Sequence, residues 1–155
     1  MRVRPRWIGL LLCLLSLAAN ATVPWESIDV DEAARRAQSD DKRVLVYLGA
    51  AWCGACRKLE VEVFESSDGD RLADDFVPLH YDADADAARP VRERYNVKGL
   101  PTVLVLGEGA AEVGRIVGFS DKASWMARLD GLRRPDRGGG GGISLVAPAG
   151  AARSR

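Results

Sequence analysis

The chain has 155 residues, with 22 basic and 22 acidic side chains and a single histidine. This balance carries no basic patch of the kind that nucleic-acid binding needs. A 47% hydrophobic content fits a globular protein, and once both ends are set aside about 110 residues remain, enough for one layered core and too few for two.

Residues 1–21 read as a secretory signal. Arg2, Arg4 and Arg6 form a positive n-region, Ile8 to Ala19 an apolar stretch, and Ala19-Asn20-Ala21 an A-x-A cleavage site before Thr22. The apolar stretch is shorter than the ~20 residues that a membrane span requires; an uncleaved N-terminal anchor is the competing reading. Removing residues 1–21 takes three arginines and no acid, leaving a weakly acidic remainder of net charge −3. Cys13 lies in the apolar stretch behind Leu12, where a lipoprotein signal would need a small residue, so it reads as apolar filler.

Asp29 with Glu32 three residues on forms a capping-box pattern before Ala33-Ala34-Arg35-Arg36-Ala37, which predicts a helix broken at Asp40-Asp41-Lys42. Val44 to Gly49 is a near-continuous apolar run suited to a buried central strand. Residues 54–65 read as one helix with Leu59, Val63 and Phe64 on its apolar face, and Ser67 to Asp75 as a second, short helix. Phe76 to Tyr81 reads as a strand, and the stretch from Asp82 to Asp86 as a solvated turn. Its alternating aspartates do not make a helix-loop-helix calcium loop, because the sixth position is Ala87 rather than glycine.

A helix carrying Val91 and Tyr95 should follow, then a strand over Thr102–Leu106, a turn at Gly107-Glu108-Gly109, and an antiparallel partner strand from Glu112 to Phe119. Ser120 is read as the cap of a last helix, with Trp125, Met126 and Leu129 in the core. Strands joined through helices and closed by a terminal hairpin predict an α/β domain over residues 22–134, with a central mixed sheet and helices on both faces. Residues 135–155, with five consecutive glycines, read as a flexible tail.

Cys53-Gly54-Ala55-Cys56 follows the first predicted strand and opens a helix. That placement builds a reversible dithiol, because unpaired N–H groups at a helix start stabilise a thiolate. A bridge across so short a loop constrains the unfolded chain very little, which argues against a structural staple. Zinc would need four ligands, and the mature chain offers two cysteines and His80. No metal and no cofactor is expected, and His80 is read as a structural or surface residue.

Trp52-Cys53-Gly54-Ala55-Cys56-Arg57-Lys58, with Gly99-Leu100-Pro101-Thr102 and Gly118-Phe119 downstream, resembles the thioredoxin superfamily. Within it, the chain is similar to the C-terminal periplasmic domain of the DsbD thiol:disulfide interchange proteins, over residues 26–134. The resemblance implies a thioredoxin fold, Cys53 as nucleophile and Cys56 as resolving thiol. It also implies a cis peptide before Pro101, and a docking surface of Trp52, Gly54, Ala55, Leu100 and Pro101. These relatives usually carry a buried aspartate six residues before the first cysteine; here that residue is Tyr47, which cannot take a proton at neutral pH. Glu60, four residues after Cys56, matches a glutamate of the DsbD domain and is the candidate proton acceptor.

The expected activity is that of an exported thiol-disulfide oxidoreductase. The absence of a histidine between the cysteines favours reduction of protein disulfides over their formation. Protein thiols and disulfides are the implied substrates, a membrane thiol donor the implied electron source, and a periplasmic or secreted monomer the implied state. A disulfide oxidase or isomerase, and a non-catalytic binding or chaperone-like module, are the alternatives.

Overall fold

The computed structural model describes residues 22–133; the predicted signal, Cys13 and the glycine-rich tail lie outside these residues. In chain order the elements are α1 (Val30–Ser39), β1 (Arg43–Gly49), α2 (Gly54–Leu59), α3 (Ser67–Asp75), β2 (Phe76–Asp82), α4 (Arg89–Arg94), β3 (Thr102–Leu106), β4 (Glu112–Val117) and α5 (Lys122–Asp130). The sheet order is β2-β1-β3-β4, with β1 parallel to β2 and antiparallel to β3, and β3 antiparallel to β4.

The apolar runs of β1 and β3 are continuous because both faces of these strands are covered. Val44, Val46 and Leu48 with Leu104 and Leu106 turn to one face, against α1 and the Val91–Tyr95 stretch. Leu45 and Tyr47 with Val103 and Val105 turn to the other, against Leu59, Val63, Phe64, Leu72, Trp125 and Leu129. The period-2 alternation of a pleated strand thus divides one hydrophobic sequence between two cores.

Asp29 caps α1 as its sequence predicts, its carboxylate accepting from the Glu32 N–H at 2.7 Å. Three expectations are corrected. The helix over residues 54–65 changes register: α2 ends at Leu59 and a wider π-helical turn runs over Glu60–Phe64. This places Val63 and Phe64 in the core, and the Phe64 carbonyl accepts the Val23 N–H at 2.9 Å. The cap of α5 is Asp121, not Ser120; Asp121 has the extended backbone of a cap and accepts from the Ser124 N–H at 2.9 Å. The last strand ends at Val117 because Gly118, at φ 76°, turns the chain away.

Candidate active site

Parallel pairing of β1 and β2 brings their C-terminal ends together, with Gly49 in register with Asp82. The loop into α2 and the loop after β2 therefore emerge side by side, the position at which α/β sheets form sites. Cys53 is the N-cap of α2 and is joined to Cys56 by a disulfide. The Cys56 N–H points at the Cys53 sulfur, 3.2 Å away. Cys53 keeps 6% of its surface exposed and Cys56 none. The guanidinium of Arg57 donates to the Ala51 carbonyl at 2.8 Å and fastens the loop before the pair to the helix after it.

The disulfide packs with Ala50 and Ala83, and Leu100 lies against this cluster. The Leu100–Pro101 peptide is cis and Pro101 is buried. Two hydrogen bonds hold this loop: Gly118 N–H to the Pro101 carbonyl at 2.8 Å, and Thr102 Oγ1 to the Gly99 carbonyl at 2.7 Å. The Gly118 of the predicted Gly-Phe motif thus acts through its left-handed backbone, which aims its N–H at the proline loop.

Trp52 is 69% exposed, and its indole N–H donates to Asp84 Oδ2 at 2.7 Å. Asp84 is itself turned by its N–H donating to Asp82 Oδ1 at 3.0 Å. The acidic stretch read as a solvated turn therefore holds a residue of the site. Gly54 and Ala55 line an open groove with Val61 and Phe119, beside the charged Arg57, Lys58 and Glu62. A smaller cleft, about 170 Å³, lies across the site among Trp52, Asp84, Lys98 and Leu100.

Beneath the dithiol helix, Glu60 lies one turn after Cys56, and its N–H donates to the Cys56 carbonyl. Its Oε1 accepts from the Tyr47 hydroxyl at 2.7 Å. Tyr47 is fully buried, and burial, reinforced by the carboxylate it donates to, raises its pKa above the usual phenol value. It therefore stays neutral and acts only as a donor. His80, its partner in β2, stacks on the ring at 4.8 Å with an interplanar angle of 18°. This packing lowers the His80 pKa, against the opposing pull of Glu60 and Asp82. His80 is a surface residue, as read from the sequence, but one that covers the Tyr47 pair.

Known proteins agree with this geometry. Residues 24–107 match the family model described as thioredoxin-like. The chain is 35% identical over 105 residues to the thiol:disulfide interchange protein DsbD of Cronobacter sakazakii, covering 65% of this chain and 18% of that protein. It spans under a fifth of the length of this relative. Among solved structures, a thioredoxin from Thermus thermophilus superposes with a TM-score of 0.60 at 25% identity, covering 72% of this chain and 87% of that one. The oxidised C-terminal domain of DsbD from Neisseria meningitidis gives a TM-score of 0.53 at 18% identity, covering 67% and 90%, a likeness of fold alone. A mixed four-stranded sheet between two helical layers, closed at one end by a Cys-x-x-Cys disulfide, completes the assignment: the chain belongs to the thioredoxin-like family.

Proposed function

We propose that the chain is an exported reductant of protein disulfides that passes electrons from a membrane thiol donor to oxidised client proteins. The observation that carries this reading is the unequal burial of the pair: Cys53 keeps a narrow exposed edge, 6% of its surface, and Cys56 keeps none. That order suits a two-step exchange. The reduced Cys53 thiolate attacks a client disulfide, one client sulfur leaves as a thiol, and a Cys53–client disulfide forms. Cys56 then loses its proton to Glu60 and attacks Cys53 Sγ. The Cys53–Cys56 bond forms, the mixed disulfide breaks, and the second client thiolate takes up a proton. Two electrons pass from the dithiol to the client, and the donor returns them.

The Gly54-Ala55 dipeptide supports the reducing direction, since it places no histidine beside the Cys53 sulfur to stabilise the reduced form further. Export rests on the signal-like residues 1–21, and among the described residues no helix is long and apolar enough to cross a membrane. The DsbD relative is a thiol:disulfide interchange protein by name, which supports exchange with protein thiols and disulfides. Trp52 and Leu100, with Gly54 and Ala55, offer the surface on which a client's extended peptide would lie, over the buried Pro101.

The test is capture. In the full chain, Cys56→Ser should accumulate mixed disulfides with exported proteins that thiol reductants release, and Cys53→Ser should capture none. Equal capture by both variants would remove the assigned order. A Cys53→Ser/Cys56→Ser chain with full activity in cells would replace the redox reading with a binding role.

A further inference from the structure

We propose that Tyr47 is a positioning residue of this site: its hydroxyl, admitted by the missing side chain at Gly49, fixes the Glu60 carboxylate one helical turn below Cys56. The inference rests on the reading above, in which Glu60 accepts the Cys56 proton.

Four observations converge on it. First, Tyr47 occupies the central strand with its ring fully buried, where a hydroxyl needs a partner; the partner is Glu60 Oε1, at 2.7 Å. Second, the ring has no room to move. Trp25 stacks on it at 5.9 Å, Phe64 meets it edge-on at 4.9 Å, and His80 stacks at 4.8 Å. Third, the ring leans along β1 towards the dithiol end. A Cβ at Gly49, two residues on and on the same face, would stand 2.1 Å from the Tyr47 hydroxyl oxygen, so Gly49 is the space this oxygen occupies. Fourth, the change from α to π register begins at Glu60 itself, and such turns inside helices are frequent at functional sites.

The hydroxyl occupies one carboxylate oxygen, and Glu60 Oε2 has no protein hydrogen-bond partner among the described residues. That oxygen is the one left to receive a proton. The titratable groups around the pair are His80 and, farther along β2, Asp82; the other rings packed on Tyr47, Trp25 and Phe64, do not titrate. Tyr47 does not carry the proton. It holds the acceptor in place, so that Cys56 meets a carboxylate already oriented when the mixed disulfide forms.

The test is a single-turnover measurement on the reduced full chain mixed with glutathione disulfide, following the Cys56-dependent second step against pH. Glu60→Gln should slow that step and flatten its pH profile. Tyr47→Phe keeps the ring and removes the donor; it should slow the step about tenfold, part of what a positioned base supplies, and change the profile in the same sense. The double variant should be no slower than Glu60→Gln alone. Glu60→Asp leaves Tyr47 untouched and draws the carboxylate back by one methylene, so it should behave like Tyr47→Phe even if that variant folds poorly. A slow Glu60→Gln beside wild-type behaviour of either Tyr47→Phe or Glu60→Asp would overturn the positioning role and leave Glu60 as the acceptor. Wild-type behaviour of Glu60→Gln would overturn both.

Discussion

Replacing Gly49 by alanine should be among the most damaging one-methyl changes in this domain. The new Cβ would stand 2.1 Å from the Tyr47 oxygen and 2.4 Å from Cζ, far inside any real contact. The ring cannot retreat, since Trp25, Phe64 and His80 close around it. Overpacking of this kind costs ~1–3 kcal/mol. Pushing the hydroxyl off Glu60 forfeits a hydrogen bond to a charged group, worth ~1.5–3 kcal/mol where the site is dry and less here, because Glu60 is only half-buried. Alanine returns ~0.5–1 kcal/mol through the reduced freedom of the unfolded chain. The net loss is ~3 kcal/mol, which in a domain of this size lowers Tm by roughly 15 °C. Urea unfolding of the oxidised chain measures it. Gly54→Ala is the control, since nothing lies within 4 Å of its Cβ. Gly49→Ala should also cost far less in a Tyr47→Leu background, where the clash is gone. A Gly49→Ala chain within 1 kcal/mol of wild type would refute the packing argument.

Three smaller predictions follow from other contacts. Asp121→Ala should destabilise the chain by ~1 kcal/mol, the worth of an N-cap, whereas Ser120→Ala should leave it unchanged; equal losses in urea would restore Ser120 as the cap. Packing holds His80 below its ordinary pKa, so the unfolded chain binds this proton more readily than the folded one. The stability from neutral His80 is complete above pH ~6.5 and is lost as pH falls below it. His80→Gln should therefore flatten the fall in Tm between about pH 7 and pH 5, and a slope equal to wild type would contradict this sign. Asp84→Ala frees the Trp52 indole; it should leave stability within ~0.5 kcal/mol and raise the KM for a protein disulfide about fivefold, the kinetic equivalent of one hydrogen bond of ~1 kcal/mol. An unchanged KM would detach the acidic loop from client binding.

The elements legible in the sequence were those whose cause is local. The capping pair Asp29 and Glu32, the helix Ser67–Asp75 and the strand Thr102–Leu106 stand where periodicity and cap chemistry place them. Where two neighbours share the same chemistry, local reasoning has no means to choose. Ser120 and Asp121 are both capping residues, and only the extended backbone at Asp121 selects it. The π turn at Glu60–Phe64 has no sequence signature, since it is set by the burial of Val63 and Phe64 and by their contact with distant chain. Gly69 belongs to the same contact: a Cβ there would stand 2.2 Å from the Phe64 carbonyl oxygen.

The candidate site divides in the same way. Cys53 and Cys56 are a motif, readable at a spacing of three. Trp52–Asp84 and Tyr47–Glu60 are pairs brought together by the sheet and the helix upon it, across sequence separations of 32 and 13. Tyr47 drew notice in the sequence only as a departure from the family's aspartate. Its partnership with Glu60 depends on the empty space at Gly49, two residues along the same face of β1, and no single position announces that.

The equilibrium reduction potential of the Cys53–Cys56 pair, titrated in the purified full chain against a dithiothreitol or glutathione couple, tests the central claim most directly. A reductant of protein disulfides should give a value near that of thioredoxin, about −270 mV. A value near −120 mV, that of a strong oxidant of this fold, would reverse the direction of electron flow and make the protein a source of disulfides.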